Sequence, residues 1–591
     1  NVDLKQLKSD FFSSGANATW NWQTSGYENN TSLASIVTPA YHDNPYWFVY
    51  KNYESDSRTR YFGNIHIDWN VNSWLTAMVR VSKDSYTQLM ELRQDIGSTY
   101  TPSYARNNYW YDGTNYDAML SMNKKISNDF DLKGILGGNI WQQKQQTLSA
   151  ATSGGLVVPG LFSLSNSVNT PPAPTEYYGR KEVDGVYADA TLSYKELLNL
   201  DATIRRDQSS TLPKNNNSYY YPSVSLNFQF GNLLKQWNWL SHAKAWGNYA
   251  EVGGDAPLFS TTNTYGTLTP INGESMFATP TTNNNPKLGP EEQKSWETGL
   301  EASFINDRIG FSATYYQAQQ INQIMPISVS TSTGFGTFYV NGGTVQNSGV
   351  ELSLNLEPVR TRDFSWQINV NWAKNEQKVI SLYNNQPLYQ VNSYQNSVRL
   401  VAEPGKPYQL QGTKYVYLDG QREIDANGNP MIDPNVHSDL GTPNPDWFGG
   451  MNNTFRYKNF SLSFLIDASH GGKIYSLDMD YGTYSGLYPS TAGNNANGKP
   501  IRGYLANGDG YLYQGVTADG KPNSKMVDES GLYTGNWTFS SAGAEADQQF
   551  VYDASYLKLR EVSIVYSIQS KAFEKGATFI KGIDIALTGR N

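Results

Sequence analysis

Five histidines, His42, His66, His242, His437 and His470, carry all of the chain's imidazole, and they lie too far apart in sequence to suggest a shared metal or proton relay. There is no cysteine, which removes thiolate zinc sites, disulfide scaffolds and a cysteine nucleophile. No HExxH, P-loop or GxSxG motif stands in a strand–turn–helix context that would suit it. Bond-making chemistry is therefore not expected, and the chain reads as a non-enzyme. One loop has the spacing of a cation site. Asp425, Asn427, Asn429 and Asp433 place side-chain oxygens at alternate positions, as calcium loops do. Pro430 stands where such a loop needs glycine, and Val436 where it needs glutamate, so a surface loop rich in Asx-turns is the other reading. Apart from that possible structural Ca2+, no cofactor is expected.

The remaining chemistry is that of recognition. Tyr100, Tyr104, Tyr109, Trp110 and Tyr111 cluster in what reads as one loop, and Tyr481, Tyr484 and Tyr488 open what reads as the largest loop. Flat rings stack on the C–H faces of sugars while neighbouring Asn, Asp and Gln bond hydroxyls, a pattern that suits oligosaccharides. The same rings could form an interfacial girdle or a contact with another protein, and backbone amides of a peptide could use the same polar groups.

The elements that must carry these residues are strands. From Phe364, the stretch FSWQINVNW sets Phe364, Trp366, Ile368, Val370 and Trp372 against Ser365, Gln367, Asn369 and Asn371. Val350, Leu352, Leu354 and Leu356 oppose Glu351, Ser353, Asn355 and Glu357 in the same way. The split recurs at Tyr61–Trp69, Leu198–Arg205, Val224–Phe230, Phe460–Ala468, Val562–Ile568 and Ile583–Leu587. Tight connections at Ser127–Phe130, Ile305–Arg308 and Tyr457–Phe460 alternate with long polar ones such as Gly253–Pro290 and Gly471–Asp547. Short turns at one end and long loops at the other are the asymmetry of a transmembrane β-barrel. A β-propeller or tandem sandwich would have shorter, evenly spaced strands, and no blade-length repeat is present.

Composition agrees with a wall that is wet on one side. The 591 residues include 15 Trp, 42 Tyr and 23 Phe, too many for a disordered chain, yet hydrophobic residues are only 38% and the mean hydropathy is -0.56. The net charge of -8 is scattered, and no basic patch suggests nucleic acid. No apolar run of about 18 residues could form a transmembrane helix, but alternating strands evade that test.

Several segments then resemble one family. Asn285-Pro286-Lys287-Leu288-Gly289-Pro290-Glu291, followed by Trp296-Glu297-Thr298-Gly299-Leu300-Glu301, is similar to the NPxLKPE and ELGxE signature of SusC-like (SusC/RagA) TonB-dependent transporters of Bacteroidetes. Asn341-Gly342-Gly343 with Asn347–Glu351, Leu440–Pro445 with Trp447–Gly450, Asp553–Val562 and Leu587–Asn591 resemble further motifs of the same family, and Asn44–Trp47 with Arg58, Arg60 and Gly63 fits the middle part of such a barrel. The resemblance implies an all-β fold, a large antiparallel barrel of about 22 strands in the bacterial outer membrane, of which roughly 16–18 fall within residues 1–591 as part of a single domain. It implies that a plug, a TonB box and an N-terminal extension lie outside this sequence, with further strands after Asn591. It implies TonB-dependent import of oligomeric nutrients, with oligosaccharides favoured and oligopeptides open. The implied partners are TonB, outer-membrane lipid and a SusD-like surface lipoprotein that closes the mouth as a lid, in a dimer of such pairs. The loop aromatics would then meet cargo or lid. A surface adhesin without transport is the rival from another class.

Overall fold

The computed structural model describes residues 4–19, 39, 41–234, 236–394, 398–484, 486, 488–502, 504–529, 545–568 and 582–591. Its main feature is one antiparallel sheet of 16 strands, each paired with its neighbour in chain order. The strands are β1 (Glu54–Asn72), β2 (Leu75–Gln94), β3 (Ser103–Lys125), β4 (Phe130–Ala151), β5 (Thr175–Tyr194), β6 (Leu198–Ser209), β7 (Ser218–Phe228) and β8 (Leu240–Gly254), followed by β9 (Glu291–Phe304), β10 (Ile309–Ile321), β11 (Thr344–Arg360), β12 (Phe364–Ser381), β13 (Trp447–Tyr457), β14 (Phe460–His470), β15 (Tyr556–Ile568) and β16 (Ile583–Arg590). Among the described residues two short helices, α1 (Leu4–Ser14) and α2 (Pro45–Lys51), precede β1. Asn44 caps α2, and its buried side-chain amide also donates to Leu7 O and Ala18 O.

The apolar and polar sets identified by alternation stay on opposite faces across the strand pairs. Leu352 is level with Ala313 and Trp372, and Leu354 with Phe311 and Val370, while Ser353 is level with Ser312 and Asn371. The same apolar face runs through Trp69, Ala77, Leu120, Leu136, Ala188 and Ile204 on β1–β6. Because residues opposite one another in a ladder share a face, one side of the sheet is apolar and the other hydrophilic throughout the belt.

Tight turns gather at one edge of the wall. In the β9–β10 turn Ile305, Asn306 and Asp307 all have positive φ, and Lys458 does so in the β13–β14 turn. Among the described residues the longest connections, β4–β5, β8–β9, β10–β11, β12–β13 and β14–β15, are at the other edge. These connections, with the loop-side ends of β11 and β12, hold small buried clusters among the described residues: Leu212, Ala256 and Leu288; Val345, Val379, Leu382 and Ala402; Ile424, Tyr513 and Val527. The wall, one sheet thick, has both faces open. Of the long connection expected at 471–547, residues 530–544 lie outside the described residues, and α3 (Leu477–Tyr484) lies within it.

One expectation is corrected. Tyr104, Tyr109, Trp110 and Tyr111 are not in a loop but inside β3, which is 23 residues long. β1–β5 extend far beyond the apolar belt, so a stretch that reads as loop is the upper part of a tall hairpin.

Candidate ligand-facing wall and mouth

The hydrophilic face carries paired charges along its whole width. Arg80 meets Asp117 at 3.0 Å, Lys244 meets Glu301 at 2.9 Å and Arg560 meets Asp467 at 2.7 Å. Arg205 is held by Asp207 and by Asn139 Oδ1, both at 2.7 Å, with Tyr187 under its guanidinium. An ionic lattice of this kind on one face of a single sheet suits a wetted interior, where a lone buried charge would be costly.

Alternation along β3 divides the aromatic cluster between the two faces. Tyr109 and Tyr111 share the hydrophilic face with Arg80 and Asp117; Tyr104 and Trp110 share the apolar one with Leu120. Tyr111 stacks on Tyr86 with ring centroids 5.0 Å apart, and Arg58 lies 4.7 Å over the Tyr86 ring while its guanidinium donates to Gln88 Oε1. Arg60 forms a two-pronged pair with Asp84 at 2.7 and 2.8 Å. Tyr109 is level with Gln88 and Thr147, and Thr147 with Tyr177, whose hydroxyl accepts from Gln145 Nε2 at 3.1 Å. The inner face thus presents Tyr86, Tyr109, Tyr111 and Tyr177 with Gln88 and Gln145, a patch of rings and amides. Tyr86 and Tyr177 were missed in the sequence; only the pairing of β2 with β3 and of β4 with β5 brings them beside Tyr109 and Tyr111. Tyr104, only 5% exposed, donates to Glu91 and flanks Arg93, whose guanidinium also lies 4.7 Å from the Tyr53 ring. Its role is to hold the hairpin tops together.

The second cluster lies elsewhere on the rim, between β14 and β15. Tyr481 and Tyr484 are exposed on α3, and Tyr488 donates to Asp478 O at 3.0 Å with its ring packed against Gly482. Asp425 Oδ1 accepts from the backbone of both Asn427 and Asn429 at 2.8 Å, and Asp433 Oδ1 accepts from Asn435 N. These carboxylates close Asx-turns. Among the described residues no group of three or more His, Asp or Glu is placed to hold a metal ion.

The motif residues act as fasteners. Leu288 is fully buried beside Leu212 and Ala256, Gly289 N donates to Asn341 Oδ1 at 2.7 Å, and Asn341 Nδ2 donates back to Gly289 O at 2.8 Å. Two loops widely separated in sequence are joined by that reciprocal pair.

A family described as TonB dependent receptor-like, beta-barrel, matches residues 3–464. The TonB-dependent receptor P26 of Formosa agariphila is 25% identical over 508 residues, covering 80% of this chain and 47% of that protein. The TonB-dependent receptor SusC of Bacteroides thetaiotaomicron is 27% identical over 350 residues, covering 52% of this chain and 34% of that protein. A solved structure of the RagAB peptide importer in its closed-closed state superposes with a TM-score of 0.75 at 19% identity, covering 95% of this chain and 60% of that chain. The chain spans less than half the length of the curated relatives it matches.

Proposed function

This chain belongs to the TonB-dependent receptor-like β-barrel family of the outer membrane, and from that premise we propose that the whole protein imports oligosaccharides through its barrel. The observation that carries the cargo class is the inner patch of Tyr86, Tyr109, Tyr111 and Tyr177 among Gln88 and Gln145, placed near the loop edge where cargo enters. Rings take the apolar faces of sugars and amides take their hydroxyls. Energy comes from TonB through a segment outside this sequence, and a SusD-like surface lipoprotein covers the long-loop edge, with two such pairs joined through their barrels.

Oligopeptide import is the second reading. It is favoured by the likeness in fold to a peptide importer and by Arg58, Arg60 and Asp84 beside the aromatic patch, which could pair with peptide charges. Mass spectrometry of ligand retained by the full-length protein, purified with its partner from native membranes, separates the two. Glycans are expected, and recovery of peptides alone ends the oligosaccharide reading. Tyr109→Ala and Tyr111→Ala should each weaken binding of the recovered glycan by about 1 kcal/mol in calorimetry. A TonB box upstream of Asn1 is expected as well; its absence would favour an adhesin.

A further inference from the structure

The hydrophilic face changes character at its loop-side end over β8–β12. Val252, Gln293, Gln320, Val345 and Val379 stand level there, one from each strand. Gln320 and Val345 are an even number of residues from Ser312 and Ser353, so the row lies on the wet side of the wall. It nonetheless contains valine on β8, β11 and β12. Two of these valines are accounted for. The β12–β13 connection folds over Val345 and Val379 and buries them with Leu382 and Ala402, and Tyr389 and Tyr408 pack against that cluster. Val252 has no such cover. It is 52% exposed on a face where alternation calls for a polar residue.

Between Val252 and the folded connection is a cleft of about 450 Å3, within the range of sites that hold a small molecule. Gln293 and Val345 line it from the wall, Met325 from the β10–β11 connection, and Tyr389, Val391 and Tyr408 from the β12–β13 connection. Tyr389 ties the two connections together, its hydroxyl donating to Pro326 O at 3.1 Å. Val391, like Val252, keeps much of its apolar surface open. The cleft is apart from the aromatic patch, which is on β2–β5.

The charges beside the cleft are already engaged. Glu291 Oε1 accepts from Ile324 N at 2.5 Å, and Glu292 pairs with Lys294 at 3.3 Å. The polar groups that remain are neutral. The Gln293 amide and the Tyr408 hydroxyl have no hydrogen-bond partner among the described residues. An apolar hollow with an unpaired amide and hydroxyl suits a neutral group that combines carbon bulk with an oxygen acceptor, as an ester-linked acyl or aryl group does. An unsubstituted sugar lacks that bulk, and an ion would find no counter-charge.

We propose that this cleft receives an ester-linked acyl or aryl substituent carried on the oligosaccharide cargo, with Gln293 and Tyr408 donating to the ester carbonyl. The assignment rests on the oligosaccharide reading, and it narrows the cargo to substituted glycans.

The full-length protein is purified in detergent and titrated by calorimetry with cellotriose, with cellotriose carrying a 6-O-benzoyl ester, and with the tripeptide alanyl-phenylalanyl-alanine. The benzoyl ester should bind about tenfold more tightly than the unmodified sugar. Val252→Glu, which puts a carboxylate into the hollow, should abolish that preference, and Gln293→Ala and Tyr408→Phe should each reduce it about threefold. Retained heat-modifiability on gels reports an intact barrel, and Tyr408→Phe, which keeps the ring against the buried cluster, serves if Val252→Glu fails to fold. Equal binding of the two sugars, or binding of neither, overturns the proposal. So does a preference that survives in all three variants, which would place the benzoyl group elsewhere. Tighter binding of the tripeptide than of the benzoyl ester, lost in Val252→Glu, would give the cleft to an apolar peptide side chain and likewise overturn it. Two sugars bound equally well would leave the oligosaccharide reading standing, whereas a bound ester that cells fail to take up would count against import and not against this cleft.

Discussion

Glu529 is 1% exposed, with one carboxylate oxygen accepting from the Tyr513 hydroxyl at 3.3 Å and the other without a partner. Burial, aided by the charge of Glu545, pushes its carboxyl up to about 7, and burial with Asp480 nearby does the same for Glu545. Both folded values lie above the ordinary 4.5, so the folded loop binds protons that the unfolded chain releases. Its stability is complete below about 4.5, falls as pH rises through about 7, and stays low above that. Protection factors of the Tyr511 and Val527 amides, which bond across this loop at 3.0 and 2.9 Å, should therefore be several-fold higher at pH 5 than at pH 8. Glu529→Gln should flatten that dependence. A wild-type loop equally protected at both pH values would show that these carboxyls are ionised throughout.

For a strand, the informative unit is the pair of adjacent residues on opposite faces. Leu354 stands between Phe311 and Val370 in the apolar belt, and Ser353 between Ser312 and Asn371 on the wet side. Leu354→Arg should cost about 2–4 kcal/mol in urea titrations of the full barrel in lipid vesicles, and Ser353→Arg much less. Similar costs for both would mean that the two faces are not lipid and water. The tall hairpins β1–β5 follow a different rule in their upper halves. There both faces are wet, so hydropathy no longer alternates, and β3 looks polar and aromatic at every position from Ser103 to Thr114 except Ala105 and Gly113. That is why Tyr104–Tyr111 reads as loop: the period-two signal comes from the contrast between lipid and water, and it disappears where the contrast does.

Across the whole molecule, the sheet leaves β1 and β16 each with one hydrogen-bonded neighbour, and apolar side chains there are widely exposed, with Ile65 at 78% and Leu587 at 74%. Such edges are tolerated in a bilayer only when other strands cover them. The longest described connections share one rim, and the stretch after α3 is pinned to it by Arg502, which donates to the carbonyls of Gly486 and Thr491. Removing Thr483–Tyr488 deletes one of those anchors and the exposed Tyr484 without touching any ladder of the wall. In the full-length protein this deletion should weaken co-purification of the proposed lid lipoprotein or the proposed cargo uptake while the heat-resistant barrel survives. If both lid and uptake stayed at wild-type levels, this part of the rim would have no role in either.

The sequence by itself determined the strand class, the two-faced wall in the belt, the short-turn and long-loop asymmetry, and the family. Each depends on contrasts between residues close together in the chain. Only the tertiary structure decided that Tyr86 stacks on Tyr111, that Trp110 looks outward while Tyr109 looks inward, and that Asn341 clasps Gly289. Those facts depend on strand register, which is set by ladders between residues far apart in sequence. A shift of a single residue in that register would move every side chain of a strand to the other face.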